Sequence, residues 1–416
     1  MIYCAEFAVH FKYGKAALIR RFNMYSLLLA LIYISFISLG LPDSLLGSGW
    51  PVMQEAFGVP VSYMGIVTMV ISGCTILSSL VSDKLTTKFS TRIVTVVSVF
   101  LSALSLLGFS FAASFWMLIV FSVPYGLGAG AIDAALNNYV ALHCSSRHMS
   151  WLHCFWGVGT IVSPFVMSYA ITASSWNSGY RIVSYIQFGI GVLLLLTLPV
   201  WNAGKSHGDL GEQKSIGIVN ALKIKGVPFL LIGFFAYCSA EATAMSWSAT
   251  YFSQVKGVDS ESAAAYASLV FIGMTVGRFA AGFITDKLGD RKMILLGTAI
   301  SACGVAMLFI PAATNIITII GFVVIGLGYA PIYPCIIHCA PYNFGAENSG
   351  AIIGIQMASA YVGSTFMPPL YGLLGRYIGY NIMPIYLLVF MALMVYMVEK
   401  TFRLTAKRRT IQTENT

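Results

Sequence analysis

The sequence predicts an all-α polytopic membrane protein in which 12 transmembrane helices form two six-helix bundles. Its 416 residues are 58% hydrophobic and only 9% charged, whereas ordinary soluble domains carry roughly 25% charged residues. The mean hydropathy is +0.81, and so few charges cannot cover a surface that faces water. Lipid is therefore the expected solvent, and most apolar segments are long enough to cross a hydrocarbon core ~30 Å thick.

The apolar segments follow one another at short intervals, which makes neighbouring helices antiparallel. The predicted spans are residues 24–47, 60–82, 91–112, 116–141, 149–173, 182–202, 226–252, 261–285, 292–311, 315–339, 348–374 and 380–399. The longest polar interval inside the chain is the expected tether between two moving bundles. The predicted division is a cytoplasmic segment 1–23, a bundle 24–202, a linker 203–225, a bundle 226–400 and a cytoplasmic tail 401–416.

Three short signatures occur twice, in the same order and at nearly the same offset. They are Asp83-Lys84-Leu85 with Asp286-Lys287-Leu288, Gly126-Leu127-Gly128 with Gly326-Leu327-Gly328, and the pair Gly159 and Pro164 with Gly363 and Pro368. Such matches indicate a duplicated membrane bundle. Transporters use duplicated bundles to open a central site to alternate sides of the membrane, so the sequence predicts a transporter.

The basic residues are distributed as membrane topology requires. If both termini lie on one side, that side holds 21 of the 24 Lys and Arg residues, and only Arg181, Lys256 and Arg376 lie opposite. This bias predicts cytoplasmic termini, an even number of spans and a multi-pass protein of the cell (plasma) membrane. The net charge of +9 therefore reflects the orientation of the protein in the membrane, and no nucleic-acid partner is expected.

Other classes of function find little support in the sequence. It has no phosphate-binding P-loop, no standard zinc-site spacing and no apparent nucleophile–base pair. We therefore expect no ATP-driven transport and no enzymatic activity. We also expect no bound metal and no other cofactor. A membrane receptor built on a transporter fold is also disfavoured, because no soluble domain is appended.

One loop carries a motif that is typical of a known protein family. The chain reads Gly277-Arg278-Phe-Ala-Ala-Gly282-Phe-Ile-Thr-Asp286-Lys287-Leu-Gly289-Asp-Arg291-Lys292. This stretch resembles the cytoplasmic loop signature of the major facilitator superfamily, and the resemblance implies the major facilitator fold. Asp286 is expected to form a gating charge cluster with Arg278 and Arg291 at the helix ends, which yields when the bundles rock.

The first-half copy of this motif keeps its charges but loses its glycines. Asp83 is retained, while Cys74, Ser79 and Thr86 stand at the glycine positions. Asp83 is the fourth predicted gating residue. The alternative for this copy is an ordinary basic turn that obeys the positive-inside rule.

Three carboxylates lie well inside predicted spans, at Asp43, Asp133 and Glu241. A charged Asp at bilayer depth costs about 2.5–3.5 kcal/mol or more, which disfavours a role in packing alone. No Lys or Arg lies at similar depth in the same spans, so a neutral, protonated form that releases its proton to entering water is expected. Asp133 and Asp43 are the predicted ion-coupling residues, with a structural hydrogen bond as the alternative, and Glu241 is a candidate substrate acceptor.

Polar and aromatic residues accompany these carboxylates at helical spacing. Asp133 and Asn137 share a face, as do His153 and Trp156, whereas Trp247 is turned away from Glu241. The predicted substrate-binding residues are Asp43, Asn137, Asn138, His153, Trp156, Glu241, Trp247 and Gln356. Acids, amides and indoles suit a polyhydroxylated ligand, whose hydroxyls they bond and whose apolar face they stack on. The alternative for Trp156 is an interfacial aromatic belt.

Within the superfamily the chain looks most like the fucose permease branch of sugar:proton symporters. The resemblance rests on Gly126-Leu-Gly128-Ala-Gly130-Ala-Ile-Asp133-Ala-Ala-Leu-Asn137-Asn138, on Leu152-His153-Cys154-Phe155-Trp156-Gly157 and on Gly40-Leu-Pro-Asp43-Ser-Leu-Leu-Gly47. It implies substrate binding and protonation at Asp43 and Asp133, although the permease has a longer Glu at the latter position. The expected partners are the lipid bilayer, a sugar or similar small polar solute, and H⁺ with Na⁺ as the alternative. A monomer is expected, and the competing function is export of drugs or organic ions.

Overall fold

The computed structural model describes residues 15–204, 215–311, 315–406 and 408, and within these ranges every regular element is helical. The α-helices are α1 Lys15–Asp43, α2 Leu45–Phe57, α3 Met64–Ser110, α4 Phe115–His143, α5 Ser146–Ala173, α6 Trp176–Leu196, α7 Ile218–Lys223, α8 Val227–Lys256, α9 Ser260–Leu288, α10 Asp290–Leu308, α11 Ile316–Tyr329, α12 Ile332–His338, α13 Ala340–Phe344, α14 Ala346–Ile378 and α15 Met383–Leu404. Short 3₁₀ segments cover Val61–Tyr63, Leu198–Gly204 and Tyr380–Ile382. Parts of the predicted segment 1–23, linker 203–225 and tail 401–416 lie outside the described residues.

Ten helical segments of the described chain are long and apolar enough to cross a membrane. One of them, Val61–Ser110, has 50 residues and contains a break at Ser90, whose φ of 68° and ψ of 151° are not helical. The break separates the two arms of α3, residues 64–89 and 91–110, which correspond to two of the predicted spans. The helix α14 has 33 residues and lies outside these ten segments.

The first span is longer than predicted and is interrupted near its middle. The candidate span runs over Met24–Phe57, and α1 ends at Asp43, one residue after Pro42. Proline has no backbone N–H, so the carbonyl of Ser38 loses its helical donor. The side chain of Gln187 in α6 donates to that carbonyl at 2.5 Å, and the Ser38 hydroxyl donates to the same amide. This exchange stabilises the break that ends α1 at Asp43.

The repeated glycines make the same close approaches in each half of the chain. A Cβ added at Gly126 in α4 would clash with a backbone carbonyl of α3, and one added at Gly326 in α11 would clash with a carbonyl of α9. Likewise, Gly159 in α5 packs on the backbone of α1, and Gly363 in α14 packs on that of α8. Small residues permit such backbone contact between membrane helices. The packing therefore repeats in the same order as the sequence signatures, whereas the bundle boundaries stay a prediction.

Both described ends of the chain lie at one end of the molecule, called here the terminal face. The hydroxyl of Tyr25 lies 3.7 Å from the Cys144 sulfur at the end of α4. At the other end of the chain, Thr405 donates to Asn343 at 2.9 Å, and His338 contacts the Cys144 carbonyl at 3.1 Å. The loops between α4 and α5 and between α9 and α10 therefore lie beside both ends.

Candidate functional site

The first carboxylate of the site is Asp43, at the broken end of α1. Its Oδ1 accepts a hydrogen bond from the Tyr125 hydroxyl of α4 at 2.9 Å. Its Oδ2 accepts one from the indole N–H of Trp156 in α5 at 2.8 Å. Asp43 is nevertheless exposed, so its remaining lone pairs are open to a solute. The carboxylate is thus oriented by two aromatic donors and available for a further bond.

The second carboxylate, Asp133 in α4, is buried with 4% exposure. Asn137, one turn later, donates to Oδ1 at 2.8 Å, as the i, i+4 spacing predicts. The hydroxyl of Tyr361 in α14 donates to Oδ2 at 2.8 Å. Because α4 and α14 belong to different halves of the chain, this hydrogen bond joins the two halves at Asp133.

His153 extends the Asp133 network into α5. Its Nε2 lies 3.1 Å from Oδ1 of Asn137. The amide nitrogen of Asn137 already donates to Asp133, so its oxygen faces the imidazole and Nε2 is the donor. The ring also packs edge-on against Tyr333 of α12, with centroids 4.8 Å apart. His153 therefore orients the amide that orients Asp133.

The third carboxylate, Glu241 in α8, is neutralised by an arginine from the next helix. Arg278 in α9 contacts it at 3.1 Å, and the two side chains are only 5% and 12% exposed. The guanidinium carbon of Arg278 also lies 5.4 Å from the ring centre of Trp156. The sequence expectation of a neutral Glu241 considered cations of its own span only, whereas its partner comes from a different span.

The predicted pairing of Arg278 with Asp286 was also wrong. The two residues lie eight positions apart on α9, which places Arg278 ~12 Å deeper along the helix axis. Asp286 instead accepts from the Ser145 hydroxyl at 3.0 Å and from the Arg147 backbone N–H at 3.0 Å, and it forms an ion pair with the Arg147 side chain at 3.2 Å. It still joins the two halves, but through the start of α5.

A second contact between the halves lies beside Asp286, at Asp290. Ser146 donates to Asp290 at 2.5 Å, and Nδ1 of His338 lies 2.7 Å from its other oxygen. Since Nε2 of His338 faces the Cys144 carbonyl, both ring nitrogens face acceptors. Arg291, predicted to join the gate, pairs instead with Glu399 of α15 at 2.5 Å. That pair lies within one half.

The first-half motif meets the start of α14. A Cβ added at Gly350 would clash with the Asp83 carboxylate, so Asp83 lies directly against α14. Nearby, the Ser349 hydroxyl donates to Asn138 at 2.8 Å. Asn138 is therefore part of the contact between the halves and does not join the Asp133 network.

Two predicted substrate residues, Trp247 and Gln356, make no hydrogen bond to Asp43, Asp133 or Glu241 among the described residues. Trp247 packs against Tyr371 and Tyr380, with centroids 5.5 and 5.7 Å away. Gln356 is fully buried, and its amide finds no hydrogen-bond partner within the described ranges. Conversely, sequence reasoning missed Tyr125 and Tyr361, because a tyrosine in an apolar span carries no pattern that points to a carboxylate in another helix.

The family follows from a comparison with known proteins. The Major Facilitator Superfamily model matches residues 32–368 and 268–415. The chain belongs to the Major Facilitator Superfamily. It is thus a membrane transporter, and its relatives and fold are those of transporters and not of enzymes.

Individual relatives and solved structures are similar at low identity. The uncharacterized transporter y4wD of Sinorhizobium fredii is 25% identical over 341 residues, covering 78% of this chain and 85% of that protein. The glucose/mannose transporter GlcP of Bacillus subtilis is 22% identical over 314 residues, covering 73% and 77%. The structure of FucP in the outward conformation, a fucose:proton symporter of E. coli, superposes with a TM-score of 0.75 at 16% identity, covering 91% and 99%. This structural similarity shows the shared fold.

Proposed function

We propose that this protein is a proton-coupled secondary transporter that takes up a monosaccharide or similar small polar solute by alternating access. The observation that carries the proposal is the pair of carboxylates Asp43 and Asp133 at the junction of the halves. One is exposed and held by two aromatic donors, and the other is buried and bonded to the opposite half. The first suits solute binding, and the second suits coupling of a proton to movement.

Asp43 has the features of a sugar-binding group. A carboxylate with free lone pairs accepts hydroxyl protons, and the indole of Trp156 offers an apolar face for a pyranose ring. Asn137 and His153 are buried beside Asp133, where they orient that carboxylate. The glucose/mannose transporter and the fucose:proton symporter among the similar proteins support a sugar as the solute.

Protonation of Asp133 has a direct structural consequence. The ionised carboxylate accepts from both Asn137 and Tyr361. A proton added at Oδ2 makes that oxygen a donor, so the Tyr361 hydroxyl must turn and become the acceptor. The hydrogen bond between the halves then reverses direction and loses its charge assistance. Proton binding is thereby linked to the equilibrium between conformations.

The hydrogen bonds between the halves support a conformation in which the central site is closed at the terminal face and open toward the opposite side. The hydrogen bonds of Asp286, Asp290 and Asn138 join the halves at that face, while Asp43 is exposed. Together with the basic bias of this face, they support a cytoplasmic closure and an outward-open site. We extend the proposal to 12 spans, with α3 counted as two and α14 included, in a plasma-membrane monomer with cytoplasmic termini.

Transport in reconstituted vesicles tests the proposal. Proteoliposomes are loaded at inside pH 7.5 and diluted into pH 6.0 or pH 7.5 buffer, each with and without a sodium gradient, with a panel of labelled monosaccharides. Accumulation driven by the inward proton gradient and abolished by a protonophore is expected for at least one sugar. Accumulation that requires sodium, or none for any sugar while organic cations or anions are moved, would contradict it.

A further inference from the structure

The charges around the central site include a buried pair that the proposed binding and coupling steps do not use. Arg278 and Glu241 contact each other at 3.1 Å with 5% and 12% of their side chains exposed. Arg278 also faces Trp156, which in turn donates to Asp43. The pair therefore lies one indole ring away from the exposed carboxylate of the site.

The arginine is only partly used by this pairing. Its Nη2 bonds to Glu241, whereas its buried Nε finds no hydrogen-bond partner within the described residues. A guanidinium edge with two N–H groups is the preferred dock for a carboxylate, because it donates two parallel hydrogen bonds. Glu241 occupies one donor of that edge and cancels its charge.

We propose that Glu241 determines the charge specificity of the site, by neutralising Arg278 so that uncharged solutes are accepted and carboxylate-bearing analogues are rejected. The inference rests on the proposed function for the place where the solute binds. A sugar acid that approaches Trp156 meets no net positive charge and must compete with Glu241 for the guanidinium. It also meets the like charge of Asp43 whenever that carboxylate is ionised, which adds to the rejection.

Opposite substitutions in the pair should change specificity in opposite directions. Glu241→Gln keeps the shape of the side chain and leaves Arg278 positive, which favours a carboxylate on the solute. Arg278→Gln leaves Glu241 without its cation, which favours a solute whose ammonium group takes the place of the guanidinium. Removing both charges in the double variant should abolish both gains. Glu399→Gln is the matched control, since Glu399 also pairs with an arginine, Arg291, but far along α15 from the central site.

The experiment measures ligand binding to purified full-length protein by calorimetry and by thermal shift. The probes are glucose, galactose and mannose, each with its uronate and its 2-amino form. Glu241→Gln should bind at least one uronate about tenfold tighter than wild type, and Arg278→Gln should do the same for an amino sugar. Glu399→Gln should match wild type. A folded Glu241→Gln variant without any gain, or an equal gain in the control, overturns the inference.

Two further measurements, the recovery of folded variant with ligand present and sugar accumulation by wild type, distinguish failure to fold and failure of the proposed function from failure of the inference. Breaking a buried ion pair leaves one charge uncompensated and can prevent folding, so Glu241→Gln is also extracted with each uronate or each hexose present. Recovery of folded protein with uronate alone supports the inference; failure in both conditions, with no amino-sugar gain by Arg278→Gln, refutes it. If wild type accumulates no sugar but Glu241→Gln gains uronate binding, the proposed function fails while the charge assignment stands.

Discussion

The contact between Asp286 and the start of α5 allows the strength of the terminal-face closure to be tested. The carboxylate accepts from the Ser145 hydroxyl and the Arg147 backbone N–H, and it forms an ion pair with the Arg147 side chain. Asp286→Asn removes the charge and replaces one acceptor oxygen by a donor group. It should therefore weaken the contact between the halves without disturbing Asp43 or Asp133.

The size of the effect follows from the three contacts. Arg147 is 42% exposed, so its ion pair is screened by water and contributes about 0.2–1 kcal/mol. A negative charge at the start of α5 adds about 0.3–1 kcal/mol through the helix dipole, and the lost acceptor about 0.5–1.5 kcal/mol. Together they amount to about 1–3.5 kcal/mol. The ratio of this conformation to the opposite one should then fall by about 5-fold to 300-fold.

Spin labels at the exposed positions Lys88 and Lys292 report the separation of the halves at the terminal face. Pulsed dipolar spectroscopy should show a larger population of long distances in Asp286→Asn than in wild type. Glu399→Gln carries the same charge change within one half and should leave the distribution unaltered. Transport should fall more than sugar binding. A folded Asp286→Asn protein with the wild-type distance distribution would refute the reasoning.

Three further predictions concern the proton and the second closure contact. Asp133→Asn fixes a neutral side chain, so gradient-driven uptake should disappear while exchange of labelled for unlabelled sugar survives; retained uphill accumulation would remove Asp133 from coupling. Asp43→Asn exchanges one acceptor oxygen for a donor and should impair exchange and uptake alike, with lower sugar affinity by calorimetry. His338→Gln removes the imidazole that links Asp290 to the Cys144 carbonyl of the opposite half. Both ring nitrogens face acceptors, so wild type should populate the closed terminal face less as pH rises and the ring keeps only one N–H. The variant's distance distribution should depend on pH less steeply than that of wild type.

The hydrophobic pattern of the sequence predicted the membrane-spanning helices better than it predicted the residues at which helices break. The apolar runs place the spans well, because burial in lipid demands long uninterrupted hydrophobic segments. The break at Asp43 depends on a side chain, Gln187, that lies far away in sequence. The sequence separates the two spans on either side of Ser90, but it does not mark the serine with the non-helical φ as it would with glycine or proline.

The candidate site shows the same division between local and distant information. The pairing of Asp133 with Asn137 follows from one helical turn, and three carboxylates stand out because charge is rare inside spans. The partners Tyr125, Tyr361 and Arg278 come from other helices, and a single sequence gives no distance between helices. Arg278 and Asp286 share one sequence motif but do not pair, because they lie eight positions apart along the same helix.

The indole of Trp156 gives the protein a built-in optical reporter. Its N–H points at the Asp43 carboxylate, and its ring lies against the Arg278 guanidinium, so opposite charges act on opposite parts of one chromophore. The emission energy of an indole depends on the electric field along its rings. Solute binding at Asp43, or separation of α5 from α9, changes that field. The fluorescence of Trp156 should therefore follow the transport cycle without any added label, in a variant whose other tryptophans are replaced by phenylalanine.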